Sequence, residues 1–284
     1  HNLLCETNSD LEALVNAFST FFAHLGAEVV NRFGQFPPEE EPEQSIDLIN
    51  SFAELISQAK MFHRDALRSA QFGNALERTF RNIVNLPLPH RSIAGLLARH
   101  FDATLAPNRK CAPDAQQRDS ISAGIEVFVF IDEKDAFHET YRSLLANRLL
   151  SDSSDLSLES DVLVALGLKA GQLFTSKLRG MLEDVEASSD LNARLEPLSE
   201  ASSPHLGVEF SMKVLALHSW PLTAEPSIVL PRELAQYLDG FQRLYRDEAP
   251  QKRLQWSHSR SSVVLVVRLG RQFEITASAV QAAV

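Results

Sequence analysis

Five cations lie within one stretch of the chain: Arg142, Arg148, Lys169, Lys177 and Arg179. If folding brings them together, they form a basic groove whose field draws in an acidic tail. Spread over solvated helix faces, they make only local ion pairs of small value. Other residue types that do chemistry are poorly placed for it. Glu183-Asp184 and Asp132-Glu133 are adjacent acids, but both pairs sit in helical segments, where acids solvate or cap. Cys111 follows Lys110, a cation that lowers a thiol pKa, yet no histidine is near in sequence to activate it. The nine histidines are scattered, and neither CxxC nor HExxH occurs, so a metal site lacks its usual ligand spacing. No GxGxxG or GxxxxGK[ST] loop offers a phosphate cradle, and no GxSxG elbow offers a nucleophile. The expectation is a non-enzyme with no catalytic residue, no metal and no cofactor.

Composition narrows the class. A net charge of −10 argues against a general nucleic-acid binder, which carries a basic surface. The longest aliphatic run, Val263 to Val267, is far shorter than the ~20 residues a membrane helix needs. No secretory signal pattern opens the chain. Neither nucleic acid nor membrane is therefore expected as a partner. Two cysteines, Cys5 and Cys111, cannot build a disulfide framework, which points to a reducing compartment, cytoplasm or nucleus. A length of 284 residues with 44% hydrophobic side chains allows roughly two domains with sizeable cores. The chain opens on His1 and stops on an apolar segment, so a piece of a longer protein is expected.

The elements that position these residues read as helices over the first ~200 residues. Ser9-Asp10-Leu11-Glu12 has the pattern of a capping box, and Leu11, Leu14, Val15, Phe18, Phe22 and Leu25 recur at helical spacing. Residues 36–44, rich in Pro and Glu, read as a solvated linker. Ile46, Ile49, Phe52, Ile56, Ala59 and Phe62 form a stripe that continues weakly to Leu76 and Phe80, suggesting one long helix. Ile93, Leu96, Leu97 and Phe101 predict a short amphipathic helix. Further helices follow around Ile121 to Phe128 and Phe137 to Leu145. Phe174, Leu178, Met181 and Val185 stack on one helix face. The period then changes. Val208, Phe210, Met212, Val214 and Ala216 alternate with their neighbours at the two-residue period of a strand. Val263 to Leu269 and Phe273 to Thr276 read as two more strands around Gly270-Arg271, with a helix from Arg232 to Tyr245 before them. Helices followed by a small mixed unit suggest two packed domains. Trp220 and Trp256 read as core aromatic groups, or else as partner anchors.

Five motifs occur in one order. They are Lys134-Asp135-Ala136-Phe137 with Tyr141 and Arg148-Leu149-Leu150; Phe174-Thr175-Ser176-Lys177-Leu178 with Met181, Asp184 and Leu191; Trp220-Pro221; Leu230-Pro231-Arg232-Glu233 with Phe241 and Tyr245; and Leu254-Gln255-Trp256. This succession resembles the cullin homology region over about residues 45–281, and more weakly over 9–35. The fold implied is mainly α with a C-terminal α/β part. Residues 1–35 would be the end of an N-terminal helical repeat, 36–44 a linker, 45–200 a cullin-like four-helix bundle, and 201–284 the start of the α/β domain, stopping before the winged-helix part.

The resemblance implies a scaffold of a RING ubiquitin ligase with no catalytic residue of its own. Its partners would be a RING-box protein, a ubiquitin-conjugating enzyme, substrate adaptors bound through N-terminal repeats, and a cullin-exchange factor. A RING-box strand would pair with a small sheet at Lys213, Val214, Leu215, Ala216, Leu217, Trp220, Val263, Leu265 and Val267. Val208 to Ala216 would face inward at every second position, with Lys213 facing out. The five cations would form the groove for the conjugating enzyme. Departures from the family pattern are Asn147, where a basic residue is usual, and Ala249-Pro250-Gln251, where His-Ser-Gly is common. The other readings weighed are the cullin-like subunit of the anaphase-promoting complex, a helical adaptor unrelated to ubiquitin, and an enzyme of unrecognised type.

Overall fold

The structure, a computed structural model, describes residues 8–33, 41–65, 69–88, 91–106, 115–151, 154–202, 211–222, 229–258, 260–269 and 271–282. The chain divides into two compact units. The first holds residues up to Leu182 together with His218–Trp220, and the second holds Glu183–Leu217 and Pro221–Val284. The division falls inside a helix.

The first unit is helical: α1 (Asn8–Phe33), α2 (Glu41–Asp65), α3 (Ala70–Val84), α4 (Ile93–Leu105), α5 (Ala115–Phe128), α6 (Lys134–Leu150), α7 (Leu156–Ala170) and the first part of α8 (Gln172–Ser202). The acid-rich segment read as linker already begins α2 at Glu41. Pro42 is tolerated there because a first-turn N–H has no intrahelical partner. The stripe read as one long helix is two. Ser69 ends it by capping α3, its hydroxyl accepting from Phe72 N at 3.2 Å. Asp155 caps α7 in the same way, accepting from Ser157 N and Leu158 N. Gly171 takes φ +93°, a conformation other residues rarely adopt, at the turn from α7 into α8. By length and composition Glu12–Phe33 is apolar enough to cross a membrane. In the fold, however, Phe18 and Phe22 of α1 pack on Phe72 and Phe80 of α3, at ring separations of 4.3 and 5.6 Å.

Helix α4 is amphipathic as its spacing predicts: Ile93, Leu96, Leu97 and Phe101 are buried with Ala98 and His100 on a wide face, Arg99 lies exposed on a narrow stripe, and the helix packs against α2, α5 and α6. Phe101, Phe128, Phe137 and Tyr141 cluster about it, with ring centroids 5.0 to 6.1 Å apart. Ile49, Phe52, Ile56, Phe137, Tyr141, Leu178 and Met181 are fully buried, as their spacing predicts. Phe174 is only half-buried: it starts the α8 stripe at the helix end, where neighbours cover one side, Phe128 at 5.6 Å and His138 at 5.2 Å.

The second unit holds the rest of α8, an extended segment, α9 (Arg232–Glu248), an antiparallel hairpin of β1 (Val263–Leu269) and β2 (Arg271–Ala277), and the single-turn α10 (Ala279–Ala282). Phe241 of α9 stacks on Tyr245 and meets the half-buried Trp256 edge-on. In the hairpin Leu265 lies opposite Ile275 and Val267 opposite Phe273, so these four share one apolar face. Val208 and Phe210 lie outside the described residues. Residues 211–216 are extended but join no ladder, and β1 and β2 form the only sheet among the described residues.

Two stability measurements follow. Phe137→Ala removes a fully buried ring and is expected to cost ~3–5 kcal/mol in denaturant unfolding, with Phe174→Ala costing clearly less. His100 donates Nε2–H to the Ser120 carbonyl at 2.8 Å, while its buried Nδ1 has no hydrogen-bond partner. Burial lowers its pKa, and the Ser120 bond opposes this only in part. The folded state therefore resists a proton that the unfolded state accepts. The contribution is whole above the unfolded value of about 6.5 and is lost as pH falls, at up to ~1.4 kcal/mol per pH unit. His100→Gln should flatten the stability profile below neutral pH, and an unchanged slope would contradict the assignment.

Candidate functional site

The second half of α8 carries a row of short polar side chains, Asp184, Ser188 and Asn192, spaced by four and so on one face. Beside them runs the extended segment 211–216, in the opposite direction. Asn192 pairs with Met212 twice: Oδ1 accepts from Met212 N at 2.9 Å, and Nδ2 donates to Met212 O at 2.8 Å. Ser188 Oγ accepts from Val214 N at 2.8 Å and donates to the Asp184 carbonyl at 2.6 Å. Asp184 Oδ2 accepts from Ala216 N at 2.7 Å. Every second backbone N–H of the segment is thus taken by a helix side chain.

The match is geometric. Four helical residues rise about 6.0 Å, and two extended residues about 6.6 Å. The small mismatch grows away from the middle, and side-chain length absorbs it: the short Ser188 sits at the centre, with the longer Asp184 and Asn192 at the ends. Asp, Ser and Asn are poor interior helix residues because they compete for backbone hydrogen bonds. Three of them at a four-residue spacing, just past an apolar stripe, was the signal in the sequence. Read without the segment opposite, Asp184 passed for a solvated or capping acid.

Residues 212–216 are all half-buried. The expected alternation of inward and outward side chains is therefore absent, because the segment meets α8 through its backbone edge and not through a side-chain face. Successive peptide groups of an extended chain point to opposite sides. Leu215, between Val214 and Ala216, points its backbone away from α8 and makes no hydrogen bond with another described residue.

A family model described as the cullin alpha solenoid domain matches residues 1–192, and one described as the cullin alpha+beta domain matches 214–284. The chain belongs to the cullin family. It is 27% identical to Cullin-1 of Schizosaccharomyces pombe, over 97% of this chain and 37% of that protein. It is 25% identical to Cullin-4A of Mus musculus, over 93% and 34%, and 30% identical to Cullin-1 of Caenorhabditis elegans, over 59% and 22%. The chain thus spans about a third or less of the length of these cullins.

The other residues that the cullin resemblance singled out are placed as follows. Trp220 is buried, 1% exposed, in the helical unit, so it is a core residue and not a partner anchor. Leu217 is exposed, Leu265 is partly exposed, and Val263 and Val267 of the hairpin are half-buried.

The five cations do not all line one surface groove, because Arg148 is buried. Arg148 is buried and reaches across to α7, where its Nε and Nη2 donate to the two carboxylate oxygens of fully buried Glu159 at 2.7 and 3.0 Å. Its Nη1 pairs with Asp102. The Tyr141 hydroxyl donates to Glu159 at 3.3 Å. Burial, the largest single influence, lowers the Arg148 pKa, but the Glu159 charge, the Tyr141 hydroxyl and the hydrogen bonds to Glu159 and Asp102 together outweigh it, and the net shift is upward. Arg142 donates to the Ser219 carbonyl at 2.7 Å and pairs with Glu139. Arg179 donates to the Gln172 carbonyl. Lys177 is exposed on α8. Lys169 lines a cleft of about 310 Å³ with Lys60 and Arg118. Among the described residues no group of three or more His, Cys, Asp or Glu is placed to hold a metal ion, and Cys5 and Cys111 lie outside them.

Breaking the Arg148 pair on one side leaves an uncompensated interior charge. Glu159→Ala is expected to cost ~3–5 kcal/mol, against a small loss for Asp102→Ala at the more exposed end of the network. Equal losses in urea unfolding would show that Glu159 is not the principal counter-ion.

Proposed function

We propose that this chain is the RING-partner-binding part of a cullin scaffold in a multisubunit RING ubiquitin ligase. It takes up an extended strand of a RING-box protein at the Leu215 edge. The RING-box protein in turn holds a ubiquitin-loaded conjugating enzyme. The chain contributes no reacting group; its effect is to keep two bound reactants close and oriented, which alone is a large rate factor. The work is done in the cytoplasm and nucleus, where two cysteines outside any disulfide framework remain reduced.

The observation that carries this reading is the edge itself. One side of 212–216 is satisfied by α8, and the Leu215 peptide groups face the other way with no protein partner among the described residues. Such an edge is a template for strand addition. The hairpin of the same unit supports it: Leu265, Phe273 and Ile275 on its apolar face are 37%, 52% and 49% exposed, more than a marginal two-stranded sheet would leave uncovered on its own. Family membership supplies the class of partner.

The test is a pair of substitutions at Leu215. Ala keeps the backbone N–H, whereas Pro removes it and fixes φ. Binding to a purified RING-box protein should survive Leu215→Ala and fail with Leu215→Pro, both variants remaining folded by circular dichroism. Ubiquitin transfer should require added RING-box protein and conjugating enzyme. A folded Leu215→Pro variant that binds like the parent would rule out pairing at this edge, and transfer without a RING would rule out the scaffold.

A further inference from the structure

We infer that Asp184, Ser188 and Asn192 are positioning residues for a partner strand: they hold 212–216 extended from behind and so fix which edge, and which register, the partner meets. This rests on the strand-addition reading above and adds how the edge is made.

A lone extended segment has no reason to stay extended. In an ordinary sheet the neighbouring strand holds it, by exchanging peptide hydrogen bonds on one side. Here α8 takes the place of that strand. Asn192 does so most directly, since its side-chain amide presents one N–H and one C=O to Met212, the same pair of groups that a peptide unit in a neighbouring strand presents. Ser188 and Asp184 continue the row at the next two alternate positions. The row selects by parity. With Met212, Val214 and Ala216 committed to α8, the peptide groups of the intervening residues face away. A partner strand is therefore confined to the register that pairs with Leu215.

None of the three residues need touch the partner. Ser188 is 1% exposed and sits behind the segment. Any effect of its substitution on partner binding must pass through the conformation of 212–216. The fraction of molecules with the edge formed sets the apparent affinity. If loss of one rung leaves about a tenth of the molecules with the edge formed, apparent affinity falls about tenfold, chiefly through slower association.

The experiment uses the 284-residue chain and a purified RING-box protein as probe. Ser188→Ala and the isosteric Asn192→Asp, which keeps the acceptor but sets a carboxylate against Met212 O, are compared with the parent and with Glu183→Gln on the exposed side of α8. The expected result is about tenfold weaker binding for the first two and parent-like binding for Glu183→Gln. Without partner, amide exchange at Met212, Val214 and Ala216 should speed up in both weakened variants, while the α8 amides stay protected. That readout separates loss of the edge from loss of the helix, and Asn192→Asp decides the matter if Ser188→Ala does not fold. Parent-like affinity or unchanged exchange in the folded variants would overturn the positioning role and leave strand addition standing, provided Leu215→Pro still abolishes binding. A parent chain that fails to bind would overturn both.

Discussion

A backbone N–H removed from water must find an acceptor, at a cost of about 1–3 kcal/mol if it does not. That requirement shapes the segment after α8 more than any side-chain preference. Met212, Val214 and Ala216 are half-buried in a stretch that joins no sheet. Their N–H groups are satisfied because α8 offers an amide, a hydroxyl and a carboxylate at the matching rise. Residues that weaken a helix locally are used where the helix has a second task. The 31-residue α8 can carry them because its first half is anchored by Leu178 and Met181 in the core of the helical unit.

The helical unit solves a comparable problem with charge. Arg148 would be expensive to bury alone. Glu159 meets it with both carboxylate oxygens, Asp102 takes a further N–H, and the Tyr141 ring lies 5.5 Å from the guanidinium carbon. A buried pair of this kind adds little net stability over apolar packing. It does tie α4, α6 and α7 together through one side chain with fixed geometry. The planar fork of Arg suits this task, and a lysine could not bridge both carboxylates in the same way. An arginine that reads as a surface cation in sequence is thus a central cross-link.

Much of the fold was legible. Apolar stripes at helical spacing located α2, α5, α6 and α8, and the pairing of β1 with β2 followed from two strand-period runs around Gly270. Errors fell where local signals compete. Continuity of the stripe beyond Phe62 hid a break that one hydroxyl at Ser69 stabilises. The Pro and Glu content of residues 36–44 suggested a linker throughout, but α2 already begins at Glu41. The alternation from Val208 to Ala216 predicted a strand, but the described part of it, residues 211–216, joins no ladder; a two-residue period cannot distinguish a strand in a ladder from a chain held by a helix.

The sequence by itself determined the family, the helical class of the first ~200 residues, the hairpin and most of the core, because these depend on periodicity and on ordered motifs within short spans. Only the tertiary structure decided what the polar residues do. Arg148 and Lys177 look alike in sequence. One is an interior cross-link and the other an exposed cation, because Glu159 and Asp102 are brought to the first by α7 and α4. Asp184, Ser188 and Asn192 become a row of hydrogen-bond partners only when a segment about 20 to 30 residues away in the chain lies antiparallel to them. A hydrogen bond needs its two groups within about 3 Å, and the sequence does not state separations of that kind.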